Sequence, residues 1–141
     1  MNEQELRQAL GAVEVYKAQL EGILEQQQLV QMSLEELSRG KATVSEFMKA
    51  AEGDEVLVPV GGGSFVRARV EKNQSILVNV GSGISVEKTA EEAMQLMDAR
   101  AQEMMDAMKK LSESRQVIEM KSAQLNQMLQ SEYERMGGQP M

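Results

Sequence analysis

Apolar residues recur along the last third of the chain at alternating steps of four and three. The series is Ala90, Met94, Met97, Ala101, Met104, Met108, Leu111, Arg115, Ile118, Ser122, Leu125, Leu129, Glu132 and Met136. Eleven of these fourteen positions are apolar, against about six expected at the chain's 42% apolar content. A repeat of 3.5 residues sustained over this length winds helices into a left-handed coiled coil. Thr89 stands where an N-cap belongs, and Glu92 three residues later completes a capping-box signature. Gly137 and Gly138 end the pattern, so a helix is predicted over 89–136 and a frayed tail over 137–141.

Residues 1–52 carry a second helical pattern, introduced by Asn2 and Glu5 as a capping pair. Leu6, Leu10 and Val13 open one seam. Another register runs through Tyr16, Leu20, Ile23, Gln27, Val30, Leu34, Leu37, Lys41, Val44, Met48 and Ala51. Two successive steps of three, from Leu10 to Val13 to Tyr16, read as a stammer between the registers. Gly11, Gly22 and Gly40 each weaken the helix by about 1 kcal/mol relative to Ala. The run SRGKA (38–42) marks the expected place of any bend, and Gly53 is read as the C-cap. Each helix has about 50 residues and so spans about 70 Å. Matched lengths with an insert between them predict an antiparallel helical hairpin whose chain ends meet at its far tip.

The period changes from 3.5 to 2 in residues 53–88. VLVPV (56–60), SFVRARV (64–70), SILVNV (75–80) and ISVEK (84–88) read as four strands. Gly61–Gly63 link the first two, the polar turn EKNQ (71–74) joins the pairs, and Gly81-Ser82-Gly83 link the last two. Two β-hairpins follow. Pro59 cannot donate to a ladder and belongs at an edge or bulge. Phe65, Arg67 and Arg69 share one face, opposite Val66, Ala68 and Val70. The fold class is therefore α+β: a long antiparallel coiled-coil hairpin, with two β-hairpins inserted between its helices.

Two hairpins cannot close a core alone, and their strand edges invite another chain. Val56, Val58, Val60, Phe65, Val66, Ile76, Val78, Val80, Ile84 and Val86 are thus the candidate oligomerisation residues, with folding back on the chain's own helices as the alternative. Leu6, Leu10, Val13, Leu125, Met128, Leu129 and Met136 gather at the helix ends as candidate client-binding positions. Periodicity alone leaves open whether they close on each other or on a client.

Composition narrows the chemistry. The chain has 141 residues with no His and no Cys, which removes imidazole catalysis, thiol nucleophiles, disulfides and His/Cys metal sites. A net charge of −7 disfavours nucleic acid and anionic membranes. No apolar run approaches a membrane span, and the polar start MNEQELRQ carries no signal-peptide core, so a cytoplasmic protein is expected. GGGS (61–64) precedes a strand and lacks the Lys of a phosphate loop. Glu35/Glu36 and Glu91/Glu92 are helix neighbours that diverge rather than converge, and the latter pair suits a first turn. Arg67 and Arg69 read as solvated or paired bases, and NQS (73–75) as an idle glycosylation triplet. No catalytic group, cofactor site or metal site is expected. The abundant Met of the second helix fits seam packing along Met94–Met108, and an adaptable surface toward the tip.

The order helix, two β-hairpins, helix resembles the alpha class of prefoldin subunits, as do VLVPVGGGSFVRARV (56–70) and ILVNVGSGISVEKTAEEA (76–93). The resemblance covers essentially the whole chain. It implies an ATP-independent, non-enzymatic chaperone of the archaeal or eukaryotic cytosol, in which two alpha and four beta subunits join through their hairpins. The helix tips of such a hexamer hold unfolded polypeptides and pass them to a group II chaperonin. A structural coiled-coil spacer or a filament-forming relative shares the architecture without needing a client surface.

Overall fold

The computed structural model describes residues 2–71 and 75–137. Its elements are α1 (Glu3–Lys49), β1 (Glu55–Gly61), β2 (Ser64–Arg69), β3 (Ile76–Gly81), β4 (Ile84–Lys88) and α2 (Ala90–Arg135). Two long helices thus flank two β-hairpins in chain order. Residues 72–74 of the expected polar turn lie outside the described residues, and with them Asn73 and Gln74 of the NQS triplet and residues 138–141 of the tail. Contacts divide the chain into two compact units, Met1–Ser33 with Met104–Met141, and Leu34–Glu103. We call them the terminal unit and the hairpin unit.

The helix ends follow local chemistry. Asn2 and Glu5 form a complete capping box: the Glu5 amide donates to Asn2 Oδ1 (2.8 Å), and the Asn2 amide to Glu5 Oε2 (3.1 Å). Thr89 Oγ1 accepts from the Glu92 amide at 3.1 Å, while the Glu92 carboxylate lies 3.9 Å from Lys88 Nζ. Gly137, at φ +103°, donates to the Glu134 carbonyl and closes α2. Gly53 does not cap α1, which stops at Lys49. It takes φ +86° in a tight turn where the Asp54 amide donates to the Ala51 carbonyl, and Asp54 Oδ2 accepts from the Ala51 amide. The helix passes unbroken through SRGKA, where Thr43 Oγ1 donates to the Arg39 carbonyl.

In the terminal unit, the α1 and α2 segments run antiparallel. Gln27 meets Ser112 and Arg115, and Leu29 and Val30 share a groove with Ala107 and Leu111. The seam of α1 differs from the sequence expectation. Ala9 is 8% exposed and Leu10 is 44% exposed. Half-buried or buried positions run Leu6, Ala9, Val13, Tyr16, Leu20, Ile23, Gln27 and Val30, in unbroken alternation of three and four. There is no stammer. The small Ala9 holds the seam position that the larger Leu10 was expected to fill. On α2 every expected seam residue of this unit is half-buried except Met136.

A polar inset interrupts that seam. Gln27 Nε2 donates to Ser112 Oγ (3.2 Å), and Arg115 Nη1 donates to Gln27 Oε1 (3.3 Å). Arg115 Nε lies 3.5 Å from the Glu119 carboxylate without hydrogen-bond geometry. Such insets contribute little net stability and fix the register in which helices pair.

In the hairpin unit Val44, Val70, Val78, Ala90 and Ala93 are buried. Met97 lies along Gly40, where a Cβ would stand 3.6 Å from its sulfur, and Lys41 pairs with Asp98 at 2.8 Å. β1 pairs antiparallel with β2 and β3 with β4, as two separate sheets. Each hairpin turns on two residues at positive φ, Gly62-Gly63 (+60°, +73°) and Ser82-Gly83 (+53°, +74°). This pair of signs matches the strand twist and favours Gly. Gly61 (+96°) and Gly81 (+114°) are bulge residues rather than turn residues, and the register shifts between Pro59 and Gly61 and between Asn79 and Gly81.

Candidate functional site

Two apolar surfaces stand out, one in each unit. In the terminal unit Leu6, Val13, Leu125 and Leu129 are half-buried along the seam, so they serve the pairing of their own helices first. Leu10, Met128 and Met136 project outward, the last 63% exposed. The expected tip group thus divides into a seam set and a surface set. Glu132 at the end of α2 is held below the usual carboxylate range, chiefly by its hydrogen bond from Arg135.

The hairpin unit presents the second surface. Val58, Val60, Phe65, Val66, Val80 and Ile84 are exposed, and Val56, Ile76 and Val86 are half-buried. Val78 differs: at 6% exposure its side chain is already covered within its own chain, opposite Val86. An Asp at Val78 would damage the subunit before it reached any neighbour. Leu57 and Leu77, absent from the expected set, are the more prominent pair at 60% and 70% exposure. An open apolar groove lined by Ala42, Phe47, Ala50, Val56 and Val58 lies between α1 and β1.

A repeat could have found Leu57 and Leu77. Leu57, Val58, Val60, Gly61, Gly63 and Val66 recur as Leu77, Val78, Val80, Gly81, Gly83 and Val86, each twenty residues on. The two hairpins are built on one pattern, with the same bulge and the same two-residue turn.

Among the described residues no group of His, Cys, Asp or Glu gathers to hold a metal ion, and no helix is long and apolar enough to cross a membrane.

The element order is helix, two β-hairpins, helix, with exposed apolar residues on both hairpins. The chain belongs to the prefoldin family, whose model, described as "Prefoldin subunit", matches residues 16–135. It is 39% identical over 110 residues to the prefoldin subunit alpha of Methanothrix thermoacetophila, covering 78% of this chain and 72% of that one. It is 30% identical over 110 residues to the prefoldin subunit alpha of Pyrococcus horikoshii, covering 77% and 74%. Among solved structures, filamentous prefoldin from Methanocaldococcus jannaschii is similar with a TM-score of 0.58 and 32% identity, over 89% of this chain and 98% of that one. The beta subunit from Thermococcus strain KS-1 shares the fold, with a TM-score of 0.60 over 93% of each chain at 19% identity. Prefoldins are chaperones, not an enzyme family.

Proposed function

We propose that this chain is the alpha-type subunit of a cytoplasmic chaperone that holds unfolded polypeptides without nucleotide and delivers them to a group II chaperonin. Beta-type subunits complete the assembly, two alpha with four beta, joined through the hairpins. The observation that carries the reading is the outward set Leu10, Met128 and Met136 on the helix ends of the terminal unit. Burying such a side chain fully is worth about 1.5–3 kcal/mol. A shallow contact gains less, so one subunit grips a client weakly, and several on one platform hold it by effective concentration. Individually weak contacts also let the client go without ATP.

The test is aggregation of a chemically unfolded protein in the presence of the assembled complex. Replacing Leu10, Met128 and Met136 together by Ser should abolish most protection while the helical circular dichroism stays intact. Undiminished protection would remove the helix ends from the mechanism. The likeness to a filamentous prefoldin supports a second reading, in which the chain assembles into filaments. Electron microscopy of the chain alone and with a beta-type subunit separates the two.

A further inference from the structure

The paired helices of the terminal unit have two flanks, one on either side of the seam, and their charges differ. On one flank lie the residues reached by alternating steps of four and three from Gln8 to Ser33 on α1, and by steps of three and four from Ala107 to Ser131 on α2. Gln26, Leu29, Ala107, Lys110 and Ser114 line one open groove, so the two rows lie side by side. These rows contain no Asp and no Glu, and their only charges are Lys110 and Lys121. In a chain of net charge −7 that is a local inversion of sign. The opposite flank carries Glu14, Glu21 and Glu119. Among the described residues neither Lys110 nor Lys121 has an ion-pair partner. The same rows expose apolar surface: Leu29 is 65% exposed, and Val15, Val117 and Met128 are exposed with it. The groove beside Leu29 has a volume of about 450 Å³.

We infer that this flank is a docking face for an acidic amphipathic helix of a partner protein. Two antiparallel helices leave a groove between them that a third helix fills with its apolar stripe. Ala12, Gly22, Ala107 and Ser114 are small and let that helix come close. Lys110 and Lys121 stand eleven residues, about 16 Å, apart along α2. A helix whose carboxylates border its apolar stripe at that spacing answers both charges, whereas a basic helix meets two uncompensated ammonium groups. Val15, Leu29 and Val117 supply affinity through burial, and the lysines supply choice, since rim charges select more than they hold. The chain as a whole makes the reverse choice, because its −7 charge attracts basic peptides. The sign of the preferred peptide therefore separates this flank from the rest of the surface. The face is distinct from the helix ends that carry the client reading, and Met128 is the one residue they share.

The chain has no Trp, so a peptide with a single Trp reports its own binding by fluorescence. The probes are two amphipathic helical peptides of equal length, one of Leu and Glu and one of Leu and Lys, titrated into the full chain. The Leu–Glu peptide should bind about tenfold tighter, and Lys110→Glu with Lys121→Glu should reverse the order while helical circular dichroism stays intact. Leu29→Ser should weaken both peptides. A Leu–Lys peptide that binds wild type as tightly or more tightly, or a Leu–Glu preference that survives the double reversal, overturns the docking face. Equal binding by a scrambled Leu–Glu peptide overturns it too, since the occupant would then be unfolded chain. So does a fall in the oligomeric mass of the peptide-free protein on the double reversal, read by native mass spectrometry, which would make the occupant a second copy.

Discussion

At the scale of single residues, a small side chain fills a seam position beside a larger one that points out. Ala9 is buried and its neighbour Leu10 is not, so charge at the two positions should have unlike effects. Ala9→Glu should destabilise the terminal unit by about 1–3 kcal/mol, whereas Leu10→Glu should stay within about 0.5 kcal/mol. Urea unfolding followed by circular dichroism reads both, and equal effects would return Leu10 to the seam. The pattern of apolar residues misled here because it weighs Leu above Ala, while a seam position asks only for an apolar group of the size its gap accepts. Glycine was equally ambiguous. GGG at 61–63 reads as one link, yet Gly61 bulges and only Gly62 and Gly63 turn.

At the scale of elements, α2 was legible nearly to the residue because its repeat is long and both ends carry cap chemistry. The two hairpins were legible from their period of two and their glycines. The Gln27–Ser112–Arg115 inset was not, since the pattern marks Gln27 and Arg115 only as interruptions and cannot say that they meet. The helical glycines lend themselves to a stability measurement. A Cβ at Gly11 or Gly22 meets nothing within 4 Å, and at Gly40 it meets only Met97 at ordinary contact distance. Each changed to Ala should therefore stabilise its helix by about 0.5–1 kcal/mol in thermal melts. Gly62→Ala and Gly63→Ala, at positive φ, should lower the melting temperature instead. A loss at Gly11 or Gly22 would mean that something outside the chain packs there.

At the scale of the whole molecule, the sequence points to the prefoldin fold and to apolar positions in both units, but not to which of those positions are already covered within the chain. Residue type alone marks Val78 as available, although it is covered within its own chain, and leaves out the exposed Leu57 and Leu77. The twenty-residue repeat makes the two hairpin corners interchangeable in backbone terms: Gly63 and Gly83 sit at φ +73° and +74° after the same bulge, so Gly63→Ala and Gly83→Ala should lower the melting temperature by similar amounts.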